Sequence, residues 1–176
     1  MHNMNLSPLI SEEEIQKKVH NMGQTLTAKY KSQQIVAICV LKGSFMFYSD
    51  LIRAIDTDVV CEYMAVSSYG NSSQSSGEVK INLDLTGTIR DRHVLLIEDI
   101  VDTGLTLNFL KNHLAMRGPR SVATAALLLK PGALKVDCAV DHVGFEISND
   151  FVVGYGLDYQ GYFRNLPYIA QVQSLS

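Results

Sequence analysis

No Walker loop and no glycine-rich dinucleotide fingerprint occurs in this 176-residue chain, so the usual nucleoside-triphosphate and nicotinamide readings fall away. Gly-x-Ser-x-Gly, His-x-x-x-His and Cys/His clusters are missing too, which removes the serine-hydrolase elbow and the common zinc sites. The histidines, His2, His20, His93, His113 and His142, are scattered and read as surface or strand-end residues. Basic residues are not in excess: 15 Lys and Arg stand against 18 Asp and Glu, for a net charge of −3. That balance argues against a nucleic-acid partner, although a small basic cluster around an anionic ligand would be hidden in it. Cysteine is sparse, with Cys39, Cys61 and Cys138 far apart in apolar surroundings; the expectation is buried reduced thiols rather than a disulfide or metal site. No apolar run reaches membrane-spanning length and no basic-then-apolar leader opens the sequence, so neither a membrane partner nor export is expected and a reducing cytoplasm fits.

What is present is an ordinary globular composition, 47% apolar and 19% charged, in a length that suits one domain with a full core. Ser11-Glu12-Glu13-Glu14 matches a capping box, and Ile15, Val19, Met22, Leu26 and Tyr30 follow at helical spacing. They predict a helix with one buried face. Ile35 to Leu41 reads as a buried strand feeding Lys42-Gly43-Ser44, and Phe45 to Ile55 as a helix. A β-rich stretch from Val59 to Val66 gives way to Ser67 through Gly77, eleven residues with one aromatic and no aliphatic side chain. By composition this segment is either an idle surface loop or a lid. Val79 to Leu85 reads as the returning strand. Thr106 to Met116 reads as a helix stopped by Arg117-Gly118-Pro119, Ser121 to Leu129 as another buried strand, and Val143 to Ile147 and Val152 to Tyr155 as short strands. Strands alternating with helices imply an α/β fold with a mostly parallel sheet and ligands at the carboxyl ends of its strands.

One stretch concentrates the chemistry. From Val94 the chain is apolar, then reaches Glu98 and Asp99, and after Ile100-Val101 enters Asp102-Thr103-Gly104-Leu105-Thr106 at the start of a helix. Strand alternation sends Glu98 and Asp99 in different directions. Carboxylates there suit vicinal sugar hydroxyls or a Mg²⁺ ion bridging them to a phosphate. The loop offers hydroxyls and backbone N–H groups at the positive end of a helix, where a phosphate is stabilised. A plain N-cap at Asp102 or Thr103 is the bland alternative; three acids within five residues outweigh it.

Ile97-Glu98-Asp99-Ile100-Val101-Asp102-Thr103-Gly104 with Thr106 resembles the phosphoribosyl-diphosphate motif of the type I phosphoribosyltransferases. Leu41-Lys42-Gly43-Ser44, Leu128-Leu129-Lys130-Pro131, and Val143-Gly144-Phe145-Glu146-Ile147 continuing through Phe151-Val152-Val153-Gly154-Tyr155-Gly156-Leu157-Asp158-Tyr159 to Arg164-Asn165-Leu166-Pro167-Tyr168 narrow the resemblance to the hypoxanthine-guanine branch. The resemblance implies a type I phosphoribosyltransferase fold: a central, mostly parallel sheet flanked by helices, a flexible lid over about residues 67–82, and a small C-terminal hood over about 135–170. It implies transfer of the phosphoribosyl group from phosphoribosyl diphosphate to hypoxanthine, and guanine with it. A xanthine-preferring transferase and a non-catalytic nucleotide-sensing regulator on the same fold remain as alternatives.

Residue roles follow from the same resemblance. Asp102 would handle the proton at N7 of the purine. Lys42, Gly43, Glu98, Asp99, Asp102, Thr103, Gly104, Leu105, Thr106 and Arg164 would bind phosphoribosyl diphosphate, with Leu105 standing where some relatives carry lysine. Lys130 would donate to O6 of the base, Phe151 stack on it, Val152 present backbone groups to its edge, and Asp158 lie beside it as a ligand of a second Mg²⁺. Glu98 and Asp99 are the other candidate Mg²⁺ residues, and Ser68 and Tyr69 the lid residues that reach in. A non-proline cis peptide before Lys42 and a homodimer or homotetramer complete the expectation.

Overall fold

A computed structural model describes residues 4–68 and 79–175. The chain runs β1 (Met4–Ile10), α1 (Glu12–Lys29), β2 (Ile35–Leu41), α2 (Phe45–Ala54), β3 (Val59–Ser68), β4 (Val79–Leu83), β5 (His93–Val101), α3 (Leu105–Ala115), β6 (Ser121–Leu129), β7 (His142–Glu146), β8 (Val152–Val153) and β9 (Ile169–Leu175). Strands β2, β3, β5, β6 and β7 are mutually parallel, and β4 returns antiparallel to β3. The sheet order is β4-β3-β2-β5-β6-β7.

That order follows from how the chain steps. From β2 it moves one way to β3 and β4, and from β5 the other way to β6 and β7. The direction therefore reverses between β2 and β5, and in an open α/β sheet the crevice at such a reversal is where ligands bind. Leu41-Lys42 leaves β2 at this crevice through a cis peptide bond, as the resemblance implied.

Apolar alternation fills both faces. On one, α1 and α2 lay Ile15, Val19, Met22, Leu26, Phe47 and Leu51 against the sheet; on the other, α3 lays Leu107, Leu110 and Leu114. The capping box forms as the sequence predicts, with Ser11 Oγ accepting from Glu14 N at 3.3 Å and Ser11 N donating to Glu14 Oε2 at 2.8 Å. β2 and β5 lie between the two layers, which is why their sequences are almost wholly apolar.

Two strands were not legible. β1 pairs antiparallel with β9, and β9 with β8, in a separate three-stranded sheet. β1 contains Pro8, which ordinarily argues against a strand; it is accommodated because β1 is an edge strand whose register shifts between Pro8 and Ile10. The cysteine expectation also needs correcting. Cys39 and Cys138 are buried free thiols, but Cys61 is exposed. Tyr63, two residues on along the same strand face, is 46% exposed as well, although its ring meets that of Tyr48 on α2 at 5.7 Å between centroids. Among the described residues no helix is long and apolar enough to cross a membrane. Of the expected lid, Tyr69 and the side chain of Ser68 lie outside the described residues.

Gly23 sits in the middle of α1, where glycine normally costs about 1 kcal/mol relative to alanine. A Cβ there would lie 2.5 Å from both the Cβ and the carbonyl oxygen of Ala54 on α2. Gly23→Ala should therefore lower stability by about 1–3 kcal/mol despite its better helix propensity. Denaturant unfolding checks the sign, and a stabilised variant would show that the helices separate freely.

Candidate active site

The parallel register aligns the strand ends that build the site. Val101 is paired with Leu129, so the turns after β5 and β6 leave the sheet side by side. β5 runs on through Glu98 and Asp99 to Val101 rather than ending at the acids. The alternation expected of a strand holds: Glu98 opens into a cavity of about 90 Å³ shared with Asp102, Thr103, Gly104 and Thr106, whereas Asp99 turns to the β2 side. A Cβ on Gly43 would fall 1.6 Å from Asp99 Oδ2, so the turn after β2 can lie against β5 only because residue 43 has no side chain.

The loop from Asp102 to Thr106 is an open cradle. Gly104 caps α3 in the left-handed conformation, φ 79°, and no side chain caps the helix. Leu105 N approaches Thr103 Oγ1 at 3.5 Å, a weak contact. The helix end thus keeps donors for an anion. From below, Lys135 N donates to Thr103 O at 3.0 Å, and Leu134, Val136 and Cys138 pack under Gly104.

Beside the cradle, Lys130 Nζ donates to Asp102 Oδ2 at 3.1 Å. The lysine side chain is only 7% exposed while that of Asp102 is 50% exposed. A buried ammonium thus has one carboxylate partner, and that partner faces the opening. The turn after Lys130 reaches the next segment at Gly132, where a Cβ would sit 3.4 Å from Asn149 Oδ1. Phe151 follows, 49% exposed, with its ring edge-on to Tyr159 at 6.0 Å between centroids. It is not a core phenylalanine. The Val152 side chain is buried, and its backbone pairs with Gln171 of β9. The sequence reading gives Tyr159 no role; its place in the Asp158-Tyr159 pair beside a stacking candidate was the available signal.

On the other side of the crevice, Lys42 is exposed. Asp158 Oδ1 pairs with Arg164 Nη2 at 2.5 Å, and Arg164 Nη1 donates to Gly156 O at 2.6 Å. Asp158 Oδ2 accepts from Gly161 N at 2.6 Å. A Cβ on Gly156 would lie 2.1 Å from Gly43 O, so this loop touches the turn after β2. The sequence-predicted residues are therefore distributed around one crevice, with Lys42, Gly43, Asp99, Asp158 and Arg164 on one side and Glu98, Asp102 to Thr106, Lys130 and Phe151 on the other.

Among the described residues neither acid of β5 forms an ion pair like that of Asp102 with Lys130; only the more distant charge of Arg164 acts on Asp99. Burial, and then the charge of Asp99, raise the Glu98 carboxyl well above its ordinary range. Burial raises Asp99 from 3.8 to about 6, against the opposing pull of the Ile100 backbone N–H and of Arg164. Among the described residues no group of three or more His, Cys, Asp or Glu could hold a metal ion. Two uncompensated carboxylates on a crevice nevertheless fit a Mg²⁺ ion that keeps several waters and takes further oxygens from a substrate.

A family model described as phosphoribosyl transferase domain matches residues 10–160. The chain is 53% identical over 161 residues to a hypoxanthine-guanine phosphoribosyltransferase of Bacillus subtilis, covering 92% of this chain and 89% of that protein. It is 48% identical over 169 residues to the bifunctional protein TilS/HprT of Listeria innocua, covering 96% of this chain and 26% of that longer protein. Among solved structures, a hypoxanthine-guanine phosphoribosyltransferase of Bacillus anthracis superposes with a TM-score of 0.92 at 44% identity, covering 97% of this chain and 99% of the other.

A carboxyl whose pKa is raised on folding binds its proton more tightly in the folded state, so its contribution to stability falls with rising pH. For Asp99 that loss begins near 3.8 and is complete above about 6. In ligand-free protein without divalent cation, Glu98→Gln should remove the ionisation that burial and the charge of Asp99 oppose. The variant should melt higher than wild type at neutral pH, with the gap closing on acidification. A gap independent of pH would refute the account.

Proposed function

Because the chain belongs to the hypoxanthine-guanine phosphoribosyltransferases, we propose that this crevice transfers the 5-phosphoribosyl group of phosphoribosyl diphosphate to N9 of hypoxanthine or guanine. The products are inosine or guanosine monophosphate and diphosphate, a purine-salvage reaction. The observation that carries this reading is the buried Lys130 ammonium on the half-exposed Asp102 carboxylate, next to an uncapped helix start. One group suits a 6-oxo acceptor, the other an N7–H donor, and the helix start suits the 5′-phosphate of the sugar being attacked. This pair gives no support to the non-catalytic regulator.

In the reaction the N9–C1′ bond forms as the C1′–O bond to diphosphate breaks, and the leaving group takes the bonding electrons. The transition state is positive at the sugar and gains positive charge on the purine ring. Asp102 accepts the N7 proton as N9 attacks, which limits that charge. Lys130 turns to O6 and marks the base as 6-oxo, since a 6-amino group would present a donor to a buried ammonium. The exposed Phe151 ring stacks on the purine, Val152 presents backbone groups to its edge, and Thr103, Gly104, Leu105 and Thr106 hold the 5′-phosphate. Lys42, the Gly43 backbone and Arg164 neutralise diphosphate on the opposite side of the crevice. Glu98 and Asp99 face the ribose and, with Asp158, would hold Mg²⁺, which supplies positive charge to the diphosphate when bound.

We place the protein in the cytoplasm and its working form as a homodimer or homotetramer. Sedimentation would measure the working form, and a monomer at working concentration would sink that part.

Purified protein with Mg²⁺ and phosphoribosyl diphosphate should convert hypoxanthine to inosine monophosphate, and lack of turnover on every 6-oxopurine would overturn the assignment. Asp102→Asn should lower kcat by about a hundredfold or more, the scale of general acid–base catalysis, while phosphoribosyl-diphosphate affinity stays within about twofold. Lys130→Met should instead act on the base, raising KM for hypoxanthine by about tenfold, the worth of one charge-assisted hydrogen bond. Both effects are read from initial rates, and a Lys130→Met variant altered only toward phosphoribosyl diphosphate would reassign that lysine.

A further inference from the structure

The loop carrying Asp158 and Arg164 and the turn carrying Lys42 and Gly43 come from opposite ends of the sequence, yet diphosphate would have to touch both. At the contact itself Gly156 lies on Gly43 O with Met46 of α2 alongside, and neither glycine has a side chain to interlock. A side-chain hydrogen bond lies behind them. Tyr155 Oη donates to Asp50 Oδ2 at 2.5 Å, across 105 residues of sequence. Asp50 is on α2, the helix that begins just after Gly43, and its other oxygen pairs with Arg53 at 2.5 Å. Tyr155 lies between Gly154 and Gly156, the residue that touches Gly43 O.

The backbone at Tyr155 is itself constrained. Its φ is 48°, a left-handed conformation that a tyrosine adopts only at a cost. The flanking Gly154 and Gly156 both have φ 101°. Tyr155 N donates to Leu166 O at 2.8 Å and Gly156 N to Arg164 O at 2.9 Å. The effect is to turn the Tyr155 ring down into the core against α2, where the residue is 7% exposed, while Gly154 packs on Tyr168 and Gly156 on Gly43. Phe151 and Val152 precede this loop and are held separately, through Val172 N donating to Phe151 O at 2.9 Å and the pairing of β8 with β9.

We propose that Tyr155 and Asp50 are a positioning pair for diphosphate: their hydrogen bond sets the spacing between the Lys42–Gly43 turn and the Asp158–Arg164 loop. Neither residue touches substrate. The pair acts on the width of the leaving-group side of the crevice and leaves the base platform and the phosphate cradle alone. The inference rests on the assignment of that side to diphosphate made above.

Calorimetric titration of the full chain with diphosphate and Mg²⁺, and separately with inosine monophosphate, tests it without depending on turnover. Tyr155→Phe keeps the ring in the core and removes only the hydroxyl. It should weaken diphosphate binding by about tenfold, the scale of a hydrogen bond to a charged acceptor, with inosine monophosphate affinity within about twofold of wild type. Asp50→Ala should reproduce the loss. Asp50→Asn, which retains an acceptor, should restore most of the affinity. If wild type binds no diphosphate, the assignment of this side of the crevice fails and the inference with it. If wild type binds and Tyr155→Phe binds equally well, the inference alone is wrong. Equal weakening toward both ligands would mark a general loosening of the fold and also overturn it.

Discussion

Parallel pairing of β2 with β5 is the constraint from which the site follows. It sets a turn from one strand against carboxylates from the other at the place where the chain reverses its direction across the sheet. A buried strand has no room for charge along its length, so Glu98 and Asp99 can stand only near its carboxyl end, where the crevice admits water or a ligand. Gly43 is the geometric counterpart of that charge: the missing side chain lets the turn lie close enough for both walls to serve one ligand. Burial of both, with the charge of Asp99 on Glu98 and that of Asp158 on Asp99, then leaves the two acids in want of a cation.

The second organising interaction is Lys130 on Asp102. An ammonium this buried needs a partner, and the partner's exposure keeps it available to an incoming base. In the proposed reaction the pair would hold both polar contacts of the 6-oxopurine edge in one place before that edge arrives. A ligand that offers an acceptor and a donor together would suit both side chains at once, and that match would contribute to selection among bases.

Much of this was legible in the sequence because it is local. Alternation along β5, the capping box at Ser11 and the Thr-Gly-x-Thr helix start each depend on residues a few positions apart. What was not legible depends on distance. β1 carries a proline and becomes a strand only through β9. Cys61 lies in an apolar run, but its exposure is decided by which strands and helices the fold brings to either side of β3. Tyr155 reads as one more aromatic in a C-terminal motif until the fold sets it on Asp50.

The pairing of β1 with β9, Met4 opposite Leu175, bears on how the molecule is made. On a ribosome the first strand emerges long before its partner exists, and closing so long a loop is slow as well as entropically costly. The larger sheet, whose neighbours are mostly closer in sequence, can assemble meanwhile. The small sheet, with Phe151 and Val152 attached to it, is then the last part to set. A newly made chain would acquire the loop from Asp102 to Thr106 before the strand pairing beside Phe151, and a chain stalled short of residue 169 would carry the former without the latter.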